Sequence, residues 1–234
     1  MVYKTIIKPK YELLRIKCSS HDFPVHFHKK ICIGKVVSGE RCIKTINQEN
    51  IISKNGMYII PPYVAHSCKA NGDNDYLIFS FDTNEINNPE IISEGAKYLE
   101  TDSDKIIKLM DYARNSGIEN NRIINYIMDY FEEYHNCKIK INDLANKLGY
   151  NKYYILHLFK EKTGISLHQY IIQLKIKYSK HRNIGNNLLD IALENGFFDQ
   201  SHFIRYFKRY EGITPKEYFR SKVIEYGQYC TPHN

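Results

Sequence analysis

A repeat in the second half sets the tightest limit on what this chain can fold into. Asp143-Leu144-Ala145-Asn146-Lys147-Leu148-Gly149-Tyr150 is echoed by Asp190-Ile191-Ala192-Leu193-Glu194-Asn195-Gly196-Phe197, 47 residues later. One inserted residue follows. Then Ile155, Phe159, Lys160, Gly164, Ile165, Ser166 and Tyr170 match Phe203, Phe207, Lys208, Gly212, Ile213, Thr214 and Tyr218 at an offset of 48. So long a period in only two copies does not suit a solenoid and fits two tandem helical modules.

Each copy has the logic of a helix-turn-helix. A short helix carries a small residue, Ala145 or Ala192, where a second helix passes close. Gly149 or Gly196 follows at the turn, where a positive φ costs little without a Cβ. The next helix opens on a capping side chain, Asn151 or Asp199. It buries Ile155, Leu158 and Phe159, or Phe203, Tyr206 and Phe207. Ser166-x-x-Gln169 and Thr214-x-x-Glu217 read as capping boxes for the helices after that, with Pro215 at the first helical position. A helix docked in the major groove presents its N-terminal, groove-facing residues. In the first module these are Lys152, Tyr153, Leu156 and His157; in the second, Gln200, Ser201, His202 and Arg205. Arg205 can grip a guanine edge with two hydrogen bonds, and Gln200 an adenine edge. His157 offers one donor, and Tyr153 can pack on a thymine methyl or bond a phosphate. The linking helix, near Leu167–His181, is expected to run about 15–17 residues, roughly 22–26 Å.

Charge falls on the same half. The chain of 234 residues carries a formal +7, and residues 135–234 hold 16 basic and 8 acidic side chains, a net +8. Residues 1–100 are near neutral at +2, and residues 101–134 are acidic at −3. A basic block on a folded module suits a polyanion, nucleic acid before an anionic membrane surface. No apolar run approaches a membrane span, and the N-terminus lacks the apolar stretch of a signal peptide. The six cysteines (Cys18, Cys32, Cys42, Cys68, Cys137, Cys230) form no C-x-x-C pair, which argues against a zinc ribbon or a disulfide framework. Reduced thiols in a cytoplasmic protein are expected.

Residues 1–82 read differently. Short β-rich runs (Tyr11–Ile16, Ile31–Val37, Cys42–Ile46, Met57–Ile60, Tyr76–Phe81) alternate with turn signals at Ser38-Gly39, Asn47–Asn50, Lys54-Asn55-Gly56, Pro61-Pro62 and Asn71-Gly72-Asp73-Asn74. That spacing indicates a β-sandwich or barrel, whose interior can hold one small ligand. His26 and His28 are two apart and share one strand face. Cys32 has the same parity, and His66 follows a turn. Together they are candidates for an effector pocket. Imidazole and thiolate would also suit zinc or another borderline metal. Between the halves, Ile106, Leu109, Met110 and Ala113 have helical spacing. Residues 90–117 favour helix, with Asp102 or Ser103 to cap a start and Asn115-Ser116-Gly117 to end it.

The run from Gly196-Phe197-Phe198-Asp199-Gln200-Ser201-His202-Phe203 to Gly212-Ile213-Thr214-Pro215-Lys216-Glu217-Tyr218 resembles the signature of the AraC/XylS family of transcription regulators. The first copy resembles it less closely, with His157 where the family often has Arg. Pro24-Val25-His26-Phe27-His28, Ser38-Gly39-Glu40 and the run from Gly56 to His66 resemble the family's cupin-like sensor. Cys32 stands where a cupin metal site has glutamate.

The resemblance implies an α+β multidomain chain. Residues 1–85 would form a cupin-like β-barrel or sandwich that senses a small-molecule effector. Residues 86–119 would be a helical connector offering a dimer contact. Residues 120–226 would be an all-α tandem helix-turn-helix on double-stranded promoter DNA. It also implies a homodimer that meets RNA polymerase in the cytoplasm, with no catalysis, no membrane and no cofactor. If any metal binds, His26, His28 and His66 are its ligands. Two other readings remain: a metal-dependent cupin enzyme, or a pure dimerisation scaffold, fused to the DNA-binding half.

Overall fold

The computed structural model describes residues 2–116, 122–133, 141–180 and 187–224. Strands come first: β1 (Val2–Ile7), β2 (Tyr11–Ser19), β3 (Phe23–His26), β4 (Ile31–Thr45), β5 (Glu49–Ile52), β6 (Met57–Ile60) and β7 (His66–Phe81). The long strands β4 and β7 pair antiparallel and carry the rest. The first half of β4 also pairs with β6, and its second half with β5. The first half of β7 also pairs with β3, and its second half with β2. Each long strand thus serves two sets of neighbours, and the sheet rolls into the expected barrel-like sandwich.

Two expected turns proved to lie inside strands. Ser38-Gly39 falls within β4 and Asn71–Asn74 within β7, where the register slips and Glu40 still pairs with Asn71. An extra residue in an antiparallel ladder bends the strand without ending it, so turn-type residues here make a bulge.

Helices α1 (Pro89–Tyr98) and α2 (Ser103–Asn115) fill the stretch expected to be helical over 90–117. The chain breaks between them, with Glu100 at φ 49°, and Asp102 caps α2 by accepting from the Lys105 N–H at 2.7 Å. Ile106, Met110 and Ala113 are buried, as their spacing predicted. Gly117 lies outside the described residues.

The second half is helical: α3 (Arg122–Glu133), α4 (Ile141–Leu148), α5 (Lys152–Thr163), α6 (Leu167–Ser179), α7 (Leu188–Glu194), α8 (Gln200–Glu211) and α9 (Pro215–Ser221). A last strand, β8 (Lys222–Ile224), joins β1 in parallel. The linking helix α6 has 13 residues, shorter than expected, so it spans about 20 Å. The Lys180 N–H closes it on the Ile176 and Lys177 carbonyls. His181, expected at its end, and residues 183–186 after it lie outside the described residues, as do Cys137 and Cys230. Cys18, Cys32, Cys42 and Cys68 are free thiols. No helix among the described residues is long and apolar enough to cross a membrane.

The strand run from Tyr76 to Phe81 is apolar on both faces because both are covered. Leu77, Phe79 and Phe81 pack with Leu13, Ile31 and Ile33 against Ile91, Leu99, Ile106 and Met110 of the α1–α2 layer. On the other face, Ile16 and Tyr76 pack with Ile172, Ile176, Phe207 and Phe219 of the second helical module. The first module has its own core of Ile127, Phe131, Leu144, Ile155 and Phe159, and Phe27 of the β-domain enters it.

Candidate nucleic-acid interface and histidine cluster

Both repeat copies fold as the residues dictate. Gly149 and Gly196 hold φ of 70° and 72° at the turns, and Ala145 and Ala192 are buried where the paired helices meet. Asn151 caps α5 by accepting from the Tyr153 N–H at 2.8 Å, and Asp199 caps α8 by accepting from the His202 N–H at 2.6 Å. Ser166 with Gln169 forms a reciprocal capping box, and Thr214 with Glu217 makes the same pair of bonds. Tyr206, expected in the core, is only half-buried at its edge.

The expected reading faces are open at their N-terminal turns. Tyr153 is 69% exposed, and the His157 side chain is 82% exposed, 3.9 Å from Glu161. Ser201 and Arg205 are exposed, with the Arg205 guanidinium 5.4 Å from the Tyr206 ring centre. Lys152, Leu156 and Gln200 are half-buried beside them. His202 is placed differently. Its ring stands edge-on between Phe197 and Tyr206, and its Nδ1 accepts from the Phe198 N–H at 3.3 Å.

Phe198 was not foreseen on this surface. It is 86% exposed, immediately before the α8 cap. The signal was available: of the adjacent pair Phe197-Phe198, only one ring can enter the core.

The β-domain grips the opposite, C-terminal ends of the reading helices. Ala65 lies beside Gly164 at the end of α5. His21 Nε2 is 3.1 Å from the Arg209 carbonyl near the end of α8. Lys29 pairs with Glu132 of α3 at 2.7 Å, and Lys177 of α6 meets the same carboxylate at 3.3 Å.

At this junction the structure brings three sequence-predicted residues together. His26 ends β3, His66 opens β7 opposite it, and His28 follows, with one ring nitrogen of each within 4.8 Å of the others. Each Nδ1 meets a backbone carbonyl: His26 with Pro24 at 2.7 Å, His28 with Lys30 at 2.6 Å, His66 with Val64 at 2.8 Å. A carbonyl only accepts, so each Nδ1 carries the hydrogen. Burial, with repulsion from its neighbours, pushes the His28 pKa down to about 4. Burial also lowers His26, and together with the charges of the other two rings it lowers His66 far below the ordinary value. All three are neutral at pH 7. Cys32 is not part of this group, although its Sγ lies 3.7 Å from His28 Nδ1. Burial raises its pKa to about 12, so it is a thiol.

The sequence reading also missed Arg41, 1% exposed inside the β-domain. Its guanidinium donates to Asn74 Oδ1 at 2.9 Å and to the His21 and Cys68 carbonyls at 3.3 Å, and its charge faces the Tyr76 ring at 4.3 Å.

Known proteins resemble the chain in both halves. The helix-turn-helix domain family matches residues 144–221. The Transposon Tn10 TetD protein of Escherichia coli is 33% identical over 105 residues, 44% of this chain and 76% of that one. The uncharacterized HTH-type regulator YbfI of Bacillus subtilis is 26% identical over 82% of this chain and 85% of its own. By contrast, the match spans only 15% of the length of a Staphylococcus aureus HTH-type regulator that is 28% identical to it. ToxT of Vibrio cholerae shares the fold, with a TM-score of 0.64 at 14% identity over 91% of this chain and 97% of that one. ToxT has also been solved with an unsaturated fatty acid bound. The repeated helix-turn-helix and these relatives lead to one conclusion: the chain belongs to the AraC/XylS family of helix-turn-helix transcription regulators.

Proposed function

We propose that the chain is a transcription regulator that reads promoter DNA with α5 and α8 and is controlled by a small effector bound in its β-domain. One observation carries this reading: the helix-turn-helix occurs twice, with the N-terminal turns of both second helices open to solvent. Tyr153, Leu156, His157, Gln200, Ser201, Phe198 and Arg205 then face base edges, and Lys152 a phosphate. His202, held between two rings, positions Phe198 rather than a base. The net +8 of residues 135–234 supplies the sequence-independent phosphate attraction.

The effector site is assigned to His26, His28 and His66, with Cys32 behind them. That ToxT takes a fatty acid supports effector control in this fold and says nothing of the effector here. An effector must bind the two states of the regulator unequally, and a site at the sensor–reader junction meets that need. A regulator rather than an enzyme, it would act in the cytoplasm as a homodimer that engages RNA polymerase.

The test is selection of bound duplexes from a genomic library, followed by footprinting. A site with two protected major-groove segments on one DNA face is the expected result. No preference over random duplex at physiological salt would overturn the reading.

A further inference from the structure

We propose that Lys175 of the linking helix α6 sets the separation between the two DNA segments that the protein accepts, by anchoring the turn before the second reading helix. Lys175 is then a positioning residue and touches no base. The proposal rests on the reading of α5 and α8 as DNA-reading helices.

The linking helix belongs to both modules. Leu167, Tyr170 and Leu174 lie in the core of the first, and Ile172 and Ile176 in the core of the second. Apolar burial joins the two bodies but is non-directional. A hydrogen bond adds a preferred direction.

Two polar anchors on α6 supply that direction. Lys175 Nζ donates to the Gly196 carbonyl at 2.5 Å, in the turn between α7 and α8. Five residues on, Lys180 Nζ pairs with Glu211, the last residue of α8, at 3.1 Å. The anchors are about 7.5 Å apart along α6, and they hold either end of a helix of 12 residues, about 18 Å long. Two ties fix the angle at which α8 crosses α6, whereas one leaves a pivot.

Lys175 holds the end that carries the reading residues. Gln200 and Ser201 follow Gly196 within five residues, and Arg205 lies one turn further. The lysine stem lies close against the turn: a Cβ on Gly196 would meet Cε and Nζ at 3.3 Å. Its Nζ stands 5.7 Å from the ring centre of Phe197, which packs on Phe203 at 5.1 Å. Burial lowers the Lys175 pKa, the mark of an ammonium partly withdrawn from water. The first turn is different. Among the described residues nothing comes within 4 Å of a Cβ placed on Gly149.

The tie therefore places the N-terminal turn of α8 relative to α5, because α6 is built into the core of the first module. On B-DNA each added base pair moves the second groove segment about 3.4 Å along the axis and about 34–36° around it. A fixed mount tolerates neither shift, and a pivoting one follows both.

Binding to the selected duplex, and to versions with one base pair added or removed between the two protected segments, tests the consequence. The wild type should lose at least about tenfold on either change. Lys175→Met keeps the length of the stem and removes the donor; it should lose less than about threefold. Its base discrimination at the position read by Arg205 should stay within about twofold of the wild type. Lys175→Arg can still donate to the carbonyl and should keep the spacing preference. Full preference in Lys175→Met overturns the proposal, as does a wild type indifferent to spacing. So does an equal loss at every spacing with a salt slope shallower by about 1, which marks a phosphate contact.

A second measurement needs no DNA. Spin labels on non-natural side chains at positions 157 and 201 should give one narrow distance distribution in the wild type and in Lys175→Arg. In Lys175→Met it should be at least about twofold broader, since the helix then samples several placements. Equal widths overturn the proposal. A protein that selects no duplex overturns the regulator reading, and the label distances still decide whether Lys175 mounts the second module.

Discussion

At the scale of single residues, Arg205 and Phe198 test different chemistry on one surface. Arg205 is exposed on the second turn of α8, where a guanidinium reaches a guanine O6/N7 edge with two bonds. Arg205→Ala is expected to weaken specific binding by about 1–3 kcal/mol and relax one base position, leaving the rest of the site unchanged. Phe198 offers only an apolar face, suited to a thymine methyl. Phe198→Ala is expected to lower affinity for the selected site without moving the melting temperature, because a ring 86% exposed contributes little to folding. Competitive binding on the selected duplex and its single-base variants separates the two. Arg41 shows why some residues were not legible in sequence. It lies on β4 two residues from buried Ile43, a charge on the inward phase of a strand. Reading Ser38-Gly39 as a turn cut that strand in two and hid the phase. His26 and His28 were legible by their two-residue spacing; that Cys32 stays outside their group was not, because strand parity fixes a face and not a distance.

Among elements, the repeat was legible because it rests on local physics: small residues at helix crossings, glycines at turns, caps at helix starts. Those needs are met within a few residues of chain. The length of α6 was not legible, since its end depends on Lys180, which also pairs with Glu211 of α8, 31 residues away. The break between α1 and α2 was hidden for a related reason. Helical periodicity continues across it because both helices cover the same sheet face. The turn glycines give a test at this scale. Gly149 would place a Cβ in open space, whereas at Gly196 it would meet Lys175 Cε and Nζ at 3.3 Å. That side chain is flexible, so the two alanine variants are expected to behave alike. Left-handed backbone costs an alanine about 1–2 kcal/mol, and the stiffer unfolded chain offsets about 0.4–1 kcal/mol. Gly149→Ala and Gly196→Ala should each lose about 1 kcal/mol in urea unfolding. A Gly149→Ala protein as stable as the wild type would contradict the turn geometry.

For the whole molecule, charge segregation already implied that the two halves have different tasks, but not where they meet. The contact is made by side chains far apart in sequence, and no periodicity reports it. Lys29 of the β-domain and Lys177 of α6 converge on Glu132 of α3, and Lys29 also reaches Asp129 at 3.4 Å. Burial alone would raise the Glu132 pKa, but the bond from Lys29 and the two lysine charges outweigh it, leaving the pKa below the usual carboxylate value. A carboxylate so shifted stabilises the folded state above its unfolded pKa, near 4.3. That contribution fades as pH falls through its lower folded pKa. Mild acidification from pH 7 to 5 should therefore leave this contact intact, with loss only below about pH 4. Glu132→Gln removes the charge at any pH. Since Lys177 is half exposed, solvent screens part of the effect, and about 1 kcal/mol is the expected loss at pH 7. Because the contact joins the halves, the loss should appear as faster hydrogen exchange in α3, together with a lower melting temperature. At a pH acid enough to protonate Glu132 in the folded wild type, below its lowered pKa, the variant and the wild type should become equally stable. A difference that persists undiminished at that pH would show that the glutamine acts through packing and not through the lysine pair.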